Sequence, residues 1–179
     1  MAAMLQRLLE LDARWSARLA VTGKPGTARR LAILFGHSGD SWFWLAGLLV
    51  LALLSPGFWR QWAIAYIIAI LLLALLVMAI KFSVRRARPE GDWGQMYRRA
   101  DPHSFPSGHA ARAMMLAALA LGTGPAWLAS ILLIWAPLVG LARIATGLHY
   151  LSDVFVGWLL GIGMAVAMLA YYDFAFLLS

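Results

Sequence analysis

Four uncharged, strongly apolar runs cover residues 41–59, 61–80, 113–142 and 154–172, and the charged groups gather between them. A membrane-spanning helix needs about 20 consecutive apolar residues, so the first, second and fourth runs each predict one span. The third run is too long for one. Gly122, Thr123, Gly124 and Pro125 interrupt it near its middle, which predicts two helices joined by a tight turn. Five spans result. The first 36 residues follow a different pattern: Arg7, Glu10, Asp12, Arg14 and Arg18 break every apolar stretch before Thr22. Leu5, Leu8, Leu9, Leu11, Trp15 and Leu19 instead predict an amphipathic helix, either lying in the membrane interface or packed on the end of the bundle. No uninterrupted apolar core precedes a small-residue cleavage site, so no cleaved signal peptide is expected.

The composition agrees with this pattern. Of 179 residues 63% are hydrophobic and only 13% charged, and the mean hydropathy is +0.76, outside the range of ordinary soluble domains. The expected fold is an all-α integral membrane helical bundle of about five transmembrane helices plus an N-terminal amphipathic interfacial helix, with residues 1–179 as a single membrane-embedded domain. A net charge of +7 would suit a nucleic-acid binder, but the basic residues collect at membrane ends and not along a soluble face. No nucleic acid is expected; anionic membrane lipids or a phosphorylated substrate are the better partners. Cysteine is absent and gives no redox clue to compartment.

If the spans alternate in direction, the segments before Ser41, between Lys81 and Phe105, and between Arg143 and Tyr150 emerge on one membrane face. Lys81, Arg85, Arg86, Arg88, His103, His109, Arg112, Arg143, His149 and Asp153 then converge there from distant parts of the sequence. Unpaired charge within apolar helices costs on the order of 3 kcal/mol even on lenient insertion scales, so function is the default explanation.

Three segments contribute. "KFSVRRARP" puts Lys81 at the end of a span and Arg88 seven positions on, before Pro89 stops the helix. "PSGH" is a helix start: Ser107 can cap free amides, Gly108 permits close backbone approach, and His109 falls in the first turn beside any anion held by those amides. "ARIATGLHYLSD" carries Arg143, His149 and Asp153, the last two four apart and on one helical face, so that the carboxylate holds one ring nitrogen and turns the other outward. Each has a bland reading alone: a snorkelling basic collar, a hydrogen-bonding histidine, a buried polar pair. Three such accidents on one face are much less economical than one site. Fixed cations with cap amides suit a phosphoryl group, whose charge spreads over its oxygens in the transition state. Of the two histidines, one held by a carboxylate can attack phosphorus and the other can protonate the departing oxygen.

These segments resemble the type 2 phosphatidic acid phosphatase superfamily, which shares its active-site pattern with vanadium-dependent haloperoxidases. That pattern is Lys, six residues, Arg-Pro; then Pro-Ser-Gly-His; then Ser-Arg, five residues, His, three residues, Asp. It falls on Lys81 to Arg88-Pro89, on Pro106 to His109, and on Arg143, His149 and Asp153. One position departs: Ala142 stands where the family has serine, which removes one hydrogen bond to the phosphate site and leaves every charged and imidazole group in place. The resemblance implies His149 as the nucleophile forming a phosphohistidine, Asp153 as its orienting carboxylate and His109 as the general acid that later activates water. It implies Lys81, Arg88 and Arg143 as the phosphoryl grip, assisted by Ser107 and the Gly108 amide. It implies no cofactor and no metal, in keeping with the lack of clustered carboxylates for a magnesium pair.

The activity so implied is a metal-independent membrane lipid phosphatase. Haloperoxidases are soluble and much larger; a transporter would not confine its polar groups to one face; a non-catalytic lipid-binding relative would have lost an essential residue. The substrate expected first is polyprenyl (undecaprenyl) phosphate or diphosphate, with phosphatidylglycerophosphate or phosphatidic acid as the alternatives. In the loop before Phe105, Glu90, Asp92, Trp93, Gln95, Tyr97, Arg98, Arg99, Asp101 and His103 supply polarity for head-group selection. The expected location is the bacterial inner membrane, multi-pass. Orientation sets two arguments against each other. All of the 15 Lys and Arg except Arg60 lie on the site face, which by the positive-inside rule belongs in the cytoplasm. The resemblance implies an outward-facing site, and that is the orientation expected. "GWLLG", with Gly157 and Gly161, predicts close helix packing, within the bundle or between copies; the oligomeric state stays open.

Overall fold

The computed structural model describes residues 2–21, 23, 25–90 and 101–171. The described regular elements are seven helices: α1 (Ala2–Leu19), α2 (Thr27–Ser38), α3 (Ser41–Leu54), α4 (Gly57–Val84), α5 (Gly108–Thr123), α6 (Ala126–Ala145) and α7 (Leu151–Tyr171). One isolated antiparallel bridge joins Ala87 to His103. The all-helical membrane architecture is therefore as expected, while the spans are divided differently.

Helices α4, α6 and α7 are long and apolar enough to cross a membrane, and α2 with α3, bent by 50° at their junction, qualify together as a fourth crossing. The long 113–142 run does split at Gly124 and Pro125. Its first half, α5, has 16 residues, about 24 Å at 1.5 Å per residue, less than the hydrocarbon thickness. Nor does the first span run through 41–59. It stops at Leu54, because Pro56 drives Ser55 into extended backbone and a new helix starts at Gly57. An uncharged stretch conceals such a break. The 12 residues of α2, expected to belong to the interfacial region, pack against α6 and bury Ala32 and Gly36.

Helix α5 is the centre of the bundle. Its alanines and Met115, Leu116 and Leu119 are buried, and it packs chiefly on α7 and α6. The fit against α7 depends on glycine: a Cβ at Gly157 would come within 2.7 Å of the Ser107 carbonyl, and one at Gly161 would collide with the Ala111 carbonyl. The small-residue pair thus seats α7 on α5 inside one chain. Leu53, Leu72, Leu75, Ile134, Phe155, Leu159 and Val166 point outward and stay exposed, a surface that only lipid solvates well.

Helix α1 combines both expected placements. Its polar side docks on the bundle end: the Leu151 amide donates to Ser16 Oγ at 2.9 Å and the Ser152 amide to Asp12 Oδ1 at 3.1 Å. Met4, Leu8, Leu11, Trp15 and Leu19 face away and are exposed, as an interfacial helix requires.

Candidate active site

The end of α4 sets the first part of the site. Lys81 lies in the last helical turn, and Arg85 stops the helix with left-handed backbone, φ +52°, its amide bonded to the Lys81 carbonyl at 2.9 Å. The chain then runs extended beside residues 103–104: the Ser104 amide donates to the Arg86 carbonyl at 2.8 Å, next to the Ala87–His103 bridge. Lys81 and Arg88 are thereby brought together, both buried. Each bonds the carboxylate of Asp101, Arg88 at 2.8 Å, and Lys81 also donates to the His103 carbonyl at 3.0 Å.

The second part follows a cis Phe105–Pro106 bond. Ser107 occupies the N-cap of α5 without making a side-chain capping bond, and its amide donates to the Asp153 carbonyl at 2.9 Å. Its buried hydroxyl has no hydrogen-bond partner among the described residues. Gly108 and His109 face the central cavity.

Arg143 ends α6, buried, and its carbonyl accepts the amides of Leu148 and His149 at 3.1 and 3.3 Å. Gly147, at φ +67°, makes the turn that returns the chain toward α7, a conformation glycine adopts without steric cost. His149 follows. It lies in the turn before α7 and not on the helical face its spacing predicts: Nδ1 is 3.6 Å from Asp153 Oδ2, beyond hydrogen-bond reach, while Nε2 faces the cations, 3.2 Å from an Arg88 nitrogen. Asp153 is fully buried; it accepts the Tyr150 amide at 2.9 Å and the Arg86 guanidinium at 2.7 Å. Burial first, then the charges of Arg143, Arg88 and Lys81, push the His149 imidazole well below its ordinary pKa. The ring is therefore neutral at neutral pH, with Nε2 turned toward the Arg88 guanidinium.

Lys81, Arg88, Gly108, His109, Arg143 and His149 line one cavity of about 190 Å³. Its other wall is the apolar face of α4: Ile70, Leu73, Ala74, Val77 and Met78. Of the residues expected from the sequence, Ser107 and Asp153 sit behind the wall, buried, and Ala142 is buried one position before Arg143. Ala142 gives its carbonyl to the Thr146 amide and hydroxyl at 2.9 and 2.8 Å. The loop positions Asp92, Trp93, Gln95, Tyr97, Arg98 and Arg99 fall outside the described residues. Among the described residues, no group of three or more His, Asp or Glu side chains is arranged to hold a metal ion.

Sequence reasoning left Asp12 and Asp40 out of the site and assigned Asp101, with the rest of its loop, to head-group selection. Asp101 occupies the grip of Lys81 and Arg88; burial alone would raise its pKa, but the hydrogen bond and charge of Lys81, with Arg88 and His149, hold it lower, so it stays ionised. Asp12 reaches from α1 to the other side of Arg86, 2.7 Å away. Asp40, from the α2–α3 junction, lies 2.6 Å from His109 Nε2. Asp101 stands beside the "SFPSGH" stretch and was legible as a neighbour of the site; Asp12 and Asp40 carry no local signal of their distant partners.

A family model described as the PAP2 superfamily matches residues 62–176. A decaprenylphosphoryl-5-phosphoribose phosphatase of Mycobacterium tuberculosis is 38% identical over 148 residues, 79% of this chain and 78% of that protein. An undecaprenyl-diphosphatase of Sulfolobus acidocaldarius is 28% identical over 75% of this chain; the chain spans 66% of that relative's length. Among solved structures, the fold is shared with a PAP2 type phosphatidylglycerolphosphate phosphatase from Bacillus subtilis, at a TM-score of 0.76 and 19% identity, over 93% of this chain and 87% of that one.

Proposed function

The chain belongs to the PAP2 superfamily and is a membrane lipid phosphatase; we propose that it removes phosphate from a polyprenyl phosphate or diphosphate, without a metal ion, through a phosphohistidine intermediate. The observation that carries this reading is the cavity itself. Four cations, one carboxylate and two imidazoles face an apolar helix wall, a lining that suits a phosphoryl group attached to a hydrocarbon chain.

His149 Nε2 attacks phosphorus and the bond from phosphorus to the leaving oxygen breaks. His109 gives that oxygen a proton, so the lipid departs as an alcohol, or as a monophosphate when the substrate is a diphosphate. His109 then takes a proton from water, whose oxygen attacks phosphorus, breaks the P–N bond and restores His149. Lys81, Arg88 and Arg143 hold the phosphoryl oxygens as charge builds on them, with Ser107 and the Gly108 amide assisting, and Asp153 holds the ring of His149. Fixed guanidinium and ammonium groups take the place of a magnesium ion.

The archaeal relative is named an undecaprenyl-diphosphatase, and the mycobacterial one a phosphatase of a decaprenyl-linked phosphoribose; a polyprenyl chain in both names supports the choice of lipid. We place the protein in a bacterial inner membrane with the site on the outer face. Phosphate release by the purified protein, from undecaprenyl diphosphate beside phosphatidylglycerophosphate and phosphatidic acid and with a chelator present, tests all of this at once. Full activity with chelator and a preference for the polyprenyl substrate is expected. A strict magnesium requirement would sink the mechanism, and a preference for either glycerolipid would move the substrate.

A further inference from the structure

The α2–α3 junction, residues 38–41, is far more rigidly built than a bend between two helices needs to be. Trp135 Nε1 donates to Ser38 Oγ at 2.9 Å, Trp44 Nε1 to the Ser38 carbonyl at 3.0 Å, and Arg112 Nε to the Gly39 carbonyl at 3.1 Å. Arg112 also bonds the Ser41 hydroxyl. Gly39 packs so closely on α6 that a Cβ there would lie 2.8 Å from Val139. Side chains from α3, α5 and α6 thus fix the backbone on both sides of Asp40.

Asp40 sits at the N-cap of α3, where a carboxylate normally accepts the free amides of the first turn. It makes no such bond. Oδ1 is 2.6 Å from His109 Nε2 and Oδ2 is 3.1 Å from His37 Nδ1. His109 and Arg112 are three apart on α5, so one face of that helix both anchors the junction and receives its carboxylate.

We propose that Asp40 is the positioning residue of the general acid: it accepts the Nε2–H of His109, fixes the ring, and leaves Nδ1 as the nitrogen that passes its proton to the leaving oxygen. A carboxylate behind an imidazole selects the tautomer and stabilises the imidazolium without itself taking the proton. His37 braces the second oxygen. The site then contains two imidazole–carboxylate pairs, one for the nucleophile and one for the acid.

This rests on His109 being the acid, and the test separates the two ideas. The full chain in detergent is assayed on a lipid phosphate, whose alkoxide needs protonation, and on p-nitrophenyl phosphate, whose phenolate does not. For Asp40→Asn, kcat on the lipid substrate should fall by about 100-fold, at the low end of what general acid catalysis supplies. Its KM should stay within about threefold, as should its rate on p-nitrophenyl phosphate. Asp40→Glu should recover part of the loss, and Asp40→Asn combined with His109→Ala should be no slower than His109→Ala alone. Equal losses on both substrates, or losses that multiply in the double variant, would overturn the proposal. If His109→Ala itself loses both substrates equally, the acid assignment fails, and the double variant still reports whether Asp40 acts through His109. Should Asp40→Asn not fold, Asp40→Glu carries the same comparison: a loss confined to the lipid substrate supports the proposal, and an equal loss refutes it.

Discussion

The two imidazole–carboxylate pairs of this site are built in opposite ways. His149 and Asp153 are four residues apart, the histidine in the turn before α7 and the aspartate in the first turn of that helix, both buried, with the carboxylate further tied by Arg86 and the Tyr150 amide. His109 and Asp40 are 69 residues apart, one in the first turn of α5 and the other at the α2–α3 junction, and partly exposed, with a second histidine on the carboxylate. The first pair is placed by the short turn from Arg143 into α7 and sealed from solvent, as suits the proposed nucleophile. The second meets across a helix junction, as suits a group that exchanges protons with a departing lipid and an incoming water. Proximity in sequence and rigidity in space therefore come from separate devices within one cavity.

The contrast is broken most severely at the rings. His149→Ala should lower kcat by on the order of 10⁵-fold or more on any substrate, since the nucleophile is gone. His109→Ala should cost about 10² to 10⁴-fold on a lipid phosphate and much less on p-nitrophenyl phosphate. Initial rates on the two substrates read the difference, and equal rescue of both variants would show the roles to be reversed.

A smaller effect is expected at Arg86, which neutralises the buried Asp153 while its other nitrogen holds Asp12. Arg86→Ala leaves that carboxylate without its ion-pair partner, so it should destabilise the fold by about 3 kcal/mol and slow both substrates alike. Asp12→Ala should do less, because Ser16 still fastens α1. Thermal unfolding in detergent beside the two-substrate assay would separate them. Selective loss of the lipid substrate in Arg86→Ala would mean that Arg86 serves the acid pair instead.

The smallest expected change is Ala142→Ser, which restores the family residue. One added hydroxyl beside Arg143 should strengthen vanadate binding by about 1 kcal/mol and leave kcat nearly unchanged. A large loss of activity would mean that the site has been rebuilt around alanine.

What the sequence made legible follows from the same contrast. Lys81 and Arg88, the helix start at Ser107, and the spacing of His149 and Asp153 are local patterns, and the apolar runs were enough to fold them toward one face. Asp40 lies in the stretch "HSGDS" before an apolar run, which reads as an ordinary helix start. Nothing nearby indicates that its carboxylate turns away from the helix toward a residue on α5. The bent α2–α3 pair was hidden likewise: Gly39 and Asp40 look like a boundary between an interfacial region and a span, and only the structure shows α2 packed on α6 beside the site. The Pro56 break was hidden by the absence of charge around it.

Asp101 changes what it means for a ligand to enter the cavity. Its ionised carboxylate already occupies Lys81 and Arg88, so an arriving anion does not fill an empty grip but has to win an exchange. The surrounding bilayer is crowded with phosphodiesters, each carrying a single negative charge, no more than the carboxylate it would evict. A terminal phosphate brings between one and a half and two charges at neutral pH. Charge alone therefore favours a terminal phosphate over the carboxylate it displaces, and gives a phosphodiester no such advantage.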